Sequence, residues 1–82
     1  MTRVVLYTRA GCCLCERARD VIVRVRRRVA FELAERDIES DEALLRAYME
    51  RIPVVSIDGV EAFELFVEEA AFEHALAAAG HQ

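Results

Sequence analysis

The apolar pattern changes period across a cysteine cluster near the start of the chain, and that change admits few folds. Val4-Val5-Leu6-Tyr7 is short, β-branched or aromatic, and apolar on both faces, as expected of a central strand covered by helices on each side. From Cys13 onward Leu14, Ala18, Val21, Ile22, Val25 and Val29 recur at three- and four-residue intervals, with Glu16, Arg17, Arg19, Asp20 and Arg24 between them. This spacing predicts an amphipathic helix. Thr8 to Gly11 forms the loop between the two, so Cys12 falls at the carboxyl edge of the sheet, where α/β folds usually carry their sites.

Cys12 and Cys15 make a C-x-x-C pair. With Cys12 at the helix N-terminus and Cys15 about one turn further in, the two are close enough for a readily opened disulfide. Unpaired backbone N–H groups and the positive end of the helix dipole favour thiolate over thiol at Cys12, which also stabilises the reduced form of the pair. Arg9 adds a positive charge just upstream. Cys15, inside the helix, is expected to be the more buried and less ionised thiol. Cys13 has two readings: a small side chain of the first helical turn facing solvent or a partner, or a third thiol that traps intermediates, pairs under strain, or joins its neighbours as a soft metal ligand.

Ala30 to Glu35 alternates apolar and polar residues, predicting a second, edge strand. Asp37 to Ser40 is expected to turn the chain, with Ser40 as N-cap of a short second helix that carries Leu44, Leu45 and Tyr48 and ends near Glu50. Pro53, the one proline, precedes a third strand, Val54 to Ile57. Asp58-Gly59 then predicts a hairpin into a fourth, antiparallel strand, Val60 to Phe63. A third helix is expected from Val67 to Ala79, with Phe72, Ala75, Leu76 and Ala79 on one face and Gly80 as its stop. The order βαβαββα predicts one α/β domain over residues 1–82, a mixed four-stranded sheet with helices on both faces.

Charge narrows the function. The net charge of −4 conceals an asymmetry: up to Arg36 there are nine Arg and four acids, and from Asp37 onward two Arg and eleven acids. An acidic chain without a broad basic face argues against nucleic acid as the main partner. The one basic cluster, Arg24, Arg26, Arg27 and Arg28, reads as the solvated last turn of the first helix, where cations complement the dipole, with docking of an acidic protein as the alternative. Glu68, Glu69 and Glu73 read as a solvated helix face. No apolar run approaches a membrane span, and no apolar segment with a small-residue cleavage site opens the chain, so a cytoplasmic location is expected. Three cysteines then suggest reactive or metal-binding chemistry rather than structural disulfides. His74 and His81 lack ligand spacing to the cysteines, and there is no second C-x-x-C, so no protein-only zinc site is expected.

A C-x-x-C at the first strand–helix junction, with a lone proline opening the third strand, resembles the thioredoxin superfamily, and the length and element order resemble the glutaredoxins. Leu6 to Cys15 is most similar to the short bacterial glutaredoxin-like proteins. No Trp stands beside the motif and no Gly-Pro lies between the cysteines, unlike thioredoxin itself. The resemblance implies a thioredoxin-like fold, Cys12 as nucleophile and Cys15 as resolving cysteine. It puts Arg9 where glutaredoxins commonly have a Lys meeting a glutathione carboxylate. Arg51-Ile52-Pro53 stands where they usually read Thr-Val-Pro, implying a cis Pro53 facing the cysteines and an Ile52 backbone that pairs with extended substrate. After the hairpin the family commonly carries Gly-Gly-Asp, whereas this chain has Phe63-Glu64-Leu65. Bulk and negative charge there are expected to disfavour glutathione's carboxylates.

The expected function is thiol–disulfide exchange on protein disulfides or glutathione-mixed substrates, coupled to a thiol reductant system, in a monomer with no resident cofactor and glutathione as a conceivable cosubstrate. Two other classes stay open. One is a metal or iron–sulfur carrier through Cys12, Cys13 and Cys15, with glutathione or a second chain completing the shell. The other is a non-catalytic thioredoxin-like binding module.

Overall fold

The structure, a computed structural model, describes residues 1–79. Its elements in order are β1 (Arg3–Thr8), α1 (Cys13–Arg26), β2 (Glu32–Asp37), a 3-10 turn (Ile38–Ser40), α2 (Glu42–Tyr48), β3 (Val54–Ile57), β4 (Val60–Glu64) and α3 (Glu69–Ala79). The expected βαβαββα order is present. The strands lie in the order β2-β1-β3-β4, with β1 and β2 parallel and the pairs β1–β3 and β3–β4 antiparallel. The expected edge strand is therefore at an edge.

Register decides which side chains meet. Val4 lies opposite Ile57 and Leu6 opposite Val55, so these four share one face of the sheet. On that face α1 contributes Ala18, Ile22 and Val25, and α3 contributes Phe72 and Leu76, to one buried cluster. Phe72 is its hub, meeting Phe31 and Phe63 edge to face with ring centroids 5.8 and 6.1 Å apart. The opposite face carries Val5 and Tyr7, and here Tyr48 at the end of α2 lies over Tyr7, rings 4.8 Å apart. Helices thus cover both faces, though α2 buries no residue fully.

Several boundaries differ from the periodicity for local reasons. The apolar spacing carries α1 to Val29, but the helix ends at Arg26 and its last carbonyls are met by the N–H groups of Arg27, Arg28 and Val29. Stopping there lets Phe31 enter the core just ahead of β2. β2 starts two residues later than its alternation suggests and runs through Arg36 and Asp37, because β1 extends to Thr8 and the parallel ladder pairs Thr8 with Asp37. Ile38, expected in a turn, is wholly buried. Ser40 does not cap α2: its hydroxyl donates to the Asp37 carbonyl, and Asp41 caps instead, its carboxylate accepting the Ala43 N–H at 2.8 Å. The hairpin at Asp58-Gly59 forms with both residues at positive φ, 51° and 83°. Asp58 also ties the hairpin to β1, accepting the Arg3 N–H at 2.8 Å and donating its own N–H to the Arg3 carbonyl at 2.8 Å. α3 begins at Glu69 rather than Val67, and Gly80, its expected stop, lies outside the described residues, as does His81.

The basic last turn of α1 is not merely solvated. Arg24 pairs with Glu69 at 3.3 Å, and Arg28 reaches Glu69 at 2.9 Å and, through Nε, Glu73 at 2.8 Å. Positive and negative faces of α1 and α3 thus meet across the surface of the core. No helix among the described residues is long and apolar enough to cross a membrane.

Candidate active site at the carboxyl edge of β1

Gly11 has a φ of +77° and open space where a side chain would sit, so the position needs glycine's backbone freedom rather than its small size. This turn carries the chain from β1 into Cys12, whose N–H donates to the Arg9 carbonyl at 3.3 Å. Cys12 is the N-cap of α1, in extended conformation, and its Sγ accepts the Cys15 N–H at 3.1 Å. A sulfur here takes the role a Ser or Asp oxygen usually plays, satisfying one of the helix's orphan donors. An N–H aimed at the sulfur, at the positive end of the helix, stabilises negative charge on it.

Cys12 and Cys15 are joined as a disulfide, with Cα atoms 5.2 Å apart. The two sulfurs differ in surroundings. Cys15 is 1% exposed and lies on the same buried stripe of α1 as Ala18, Ile22 and Val25, whereas Cys12 is half-buried at the mouth. Cys13 is a free, exposed cysteine. Among the described residues no group of three or more His, Cys, Asp or Glu is arranged to hold a metal ion, and His74 is exposed on α3.

Pro53 is buried, and the Ile52–Pro53 bond is cis. Tyr7 lies opposite Val54 in the antiparallel β1–β3 ladder, so Pro53 and the Cys12 loop emerge at the same end of the sheet. Ile52 is half-buried, and its N–H donates to the Tyr48 carbonyl at 3.1 Å. Arg9 lies at the exposed rim with Nε 3.5 Å from Glu39.

Three features of this rim had no signal in the linear pattern. Arg51, read only as part of the proline motif, is a hub: its guanidinium meets Glu64 and Glu61, each at 2.6 Å, and lies 5.3 Å from the centre of the Tyr48 ring. Glu64 and Glu61 raise the Arg51 pKa above its ordinary value. In return Arg51, then Tyr48, lower that of Glu61. Burial, aided by Glu61, raises the Tyr48 phenol. Leu65 adopts a φ of +68°, with its N–H donating to the Pro53 carbonyl at 2.8 Å and the Arg51 carbonyl at 3.2 Å. Glu39, the partner of Arg9, enters through the 3-10 turn, where the sequence predicts only a bend.

The chain is similar to protein Ne2328 of Nitrosomonas europaea, at 28% identity over 90% of this chain and 89% of that one, with a TM-score of 0.78. It is similar also to the structural-genomics target protein XcR50 of X. campestris, at 28% identity over 92% of this chain and 96% of that one, with a TM-score of 0.73. A mutant thioredoxin from Halobacterium salinarum shares the fold, with a TM-score of 0.74 at 19% identity over 99% of this chain and 76% of that one. No match was found among curated proteins. The fold is thioredoxin-like, and the cysteine pair within it supports a redox role. Residues 3–77 match the family described as Glutaredoxin-like domain (DUF836), and the chain belongs to that family.

Proposed function

We propose that the protein is a thiol–disulfide oxidoreductase of the cytoplasm, acting through Cys12 and Cys15. The observation that carries the reading is the asymmetry of the pair: Cys12 caps α1 and accepts the Cys15 N–H at 3.1 Å, while Cys15 is buried in the helix's core-facing stripe. The reduced Cys12 thiolate attacks one sulfur of a substrate disulfide. The substrate S–S bond breaks, one substrate thiolate leaves and takes a proton from water, and a mixed disulfide joins Cys12 to the other sulfur. Cys15 then gives its proton to solvent and attacks Cys12 Sγ, expelling the second substrate thiolate. Two electrons have moved to the substrate, and the Cys12–Cys15 disulfide remains for an external dithiol or two glutathione molecules to reduce.

Protein disulfides and glutathione-mixed disulfides are the substrate classes. Ile52 and Pro53 form the wall against which an extended segment lies, with the Ile52 carbonyl as the acceptor for it, since the Ile52 N–H is engaged by Tyr48. Arg9 offers a rim charge already shared with Glu39. Cys13 is an accessory thiol, exposed but outside the exchange. The protein works as a monomer without a resident cofactor.

The test is a redox titration of metal-free protein in glutathione buffers, quenched by alkylation and read by mass, with Cys12→Ser, Cys13→Ser and Cys15→Ser variants alongside. A reversible two-electron transition that requires Cys12 and Cys15 but not Cys13 is expected. Absence of that transition, or its dependence on Cys13, overturns the reading.

A further inference from the structure

Of the two non-glycine residues at positive φ among the described residues, Asp58 lies in a hairpin turn, where its short polar side chain tolerates the left-handed region. Leu65 has no such excuse. A γ-branched apolar residue at φ +68° is strained, and the strain is held in place by the two hydrogen bonds from its N–H to Pro53 and Arg51. Glycine would take the same conformation without cost. Leu65 nonetheless remains 39% exposed, and Phe66 after it is 69% exposed, so neither side chain is there to fill the core.

Together they wall a groove of about 160 Å³ whose other sides are Leu14, Arg17, Val21 and Val67. Leu14 lies between Cys13 and Cys15, and the Leu65 N–H donates to the Pro53 carbonyl, so the groove reaches the end of the sheet that carries the disulfide. It is smaller than the roughly 300–1,000 Å³ of small-molecule sites and suits one side chain of a larger partner. Its charge is equally selective. Arg17 is the one charged residue lining it, and among the described residues it has no ion pair, as is also true of Arg3, Arg26, Arg27 and Arg36. At the rim, Glu39, Glu61 and Glu64 are taken by Arg9 and Arg51. An apolar slot edged by an uncommitted cation complements an apolar side chain with a carboxylate next to it.

Building on the oxidoreductase reading, we propose that Leu14, Leu65, Phe66 and Arg17 form a specificity site for protein disulfides whose cysteine is flanked by an apolar and an acidic residue. The groove seats the apolar side chain, Arg17 meets the carboxylate, and the flanking cysteine is thereby held toward Cys12 for the exchange described above. Glutathione has carboxylates that can meet Arg17 but no apolar side chain to insert, so it gains less from the site than such a peptide.

The experiment uses the full chain, reduced, and follows its oxidation by three disulfides: a short peptide homodimer with leucine and aspartate beside cysteine, the same peptide with glycine and asparagine, and glutathione disulfide. Wild type is expected to react with the leucine–aspartate peptide about tenfold faster, as kcat/KM, than with the glycine–asparagine peptide. Phe66→Ala and Leu65→Gly should bring that ratio close to one, and Arg17→Gln should remove the part due to aspartate alone. Leu65→Gly is suited to its φ and should melt no lower than wild type, which separates a specificity effect from a folding defect. The potential of the Cys12–Cys15 couple should be unchanged in all three. Equal rates for the two peptides in wild type, or a preference that survives all three substitutions, overturns this inference alone. Failure of every disulfide to oxidise the Cys12–Cys15 pair overturns the oxidoreductase reading and this inference with it.

Discussion

The two faces of the sheet are built differently. Against Val4, Leu6, Val55 and Ile57, α1 and α3 pack a contiguous apolar cluster around Phe72, sealed at its surface by Arg24 and Arg28 meeting Glu69 and Glu73. Against Tyr7 and Val54, α2 offers one aromatic contact through Tyr48 and no fully buried residue, and the Arg51–Glu61–Glu64 cluster holds the proline loop at that side. The dense face fixes Cys15, which is part of the α1 stripe. The sparse face carries Tyr48 and the Arg51 cluster beside the proline loop. Substitutions on the two faces should therefore differ in their cost to stability.

The largest effect is expected from Phe72→Ala, which removes the hub of the dense face and should cost about 3–5 kcal/mol in denaturant unfolding. Leu45→Ala, at a half-buried position on α2, should cost about 1–2 kcal/mol by the same measurement, since much less apolar area returns to water. Equal losses would erase the contrast between the faces. Next comes Asp41→Ala, which deletes the cap of α2 and should cost about 1 kcal/mol, with Asp41→Asn recovering most of it.

A pH profile sharpens the comparison on the sparse face. Arg51 and Tyr48 hold the folded Glu61 pKa below its unfolded value, so the stabilisation is complete above an unfolded value of about 4.3 and is lost as pH falls through the folded pKa. In Arg51→Gln that acid-side loss should shrink, while stability at neutral pH falls slightly because the cluster is solvent-exposed. The Tyr48 shift has the opposite sign: its pKa is raised, so its contribution is present below the unfolded value of about 10 and is lost as pH rises through the folded pKa. Parallel acid profiles for wild type and Arg51→Gln would show that the cluster does not act as described. The smallest change is expected from Arg28→Gln, an exposed pairing with Glu69 and Glu73, detectable as a slight drop in melting temperature that high salt abolishes in wild type.

What was legible in the sequence follows the same division. Strand, helix and hairpin signals are local, and β1, α1, the Asp58-Gly59 turn and the Cys12–Cys15 spacing appear as the pattern implies. The cis Ile52–Pro53 bond agrees with what the family resemblance implied, although no local pattern specifies it. Features that depend on tertiary register were not legible. Ile38 looks like a turn residue until the β1–β2 ladder extends to Asp37 and directs the next side chain inward. Arg24 and Arg28 look solvated because their partners are more than forty positions away on α3. Leu65 gave no hint of its left-handed backbone, because nothing local calls for one; its hydrogen bonds run to Arg51 and Pro53, more than ten residues earlier.

The claim on which the rest depends is that the two cysteines have different tasks, Cys12 attacking at the mouth and Cys15 resolving from within. Its most direct test is to mix the reduced Cys15→Ser and Cys12→Ser variants, each carrying Cys13→Ser as well, with a peptide disulfide and read the covalent adduct by mass. The account predicts a persistent mixed disulfide on Cys12 in the first and little or none on Cys15 in the second. An adduct that forms as fast on Cys15 as on Cys12 would contradict it.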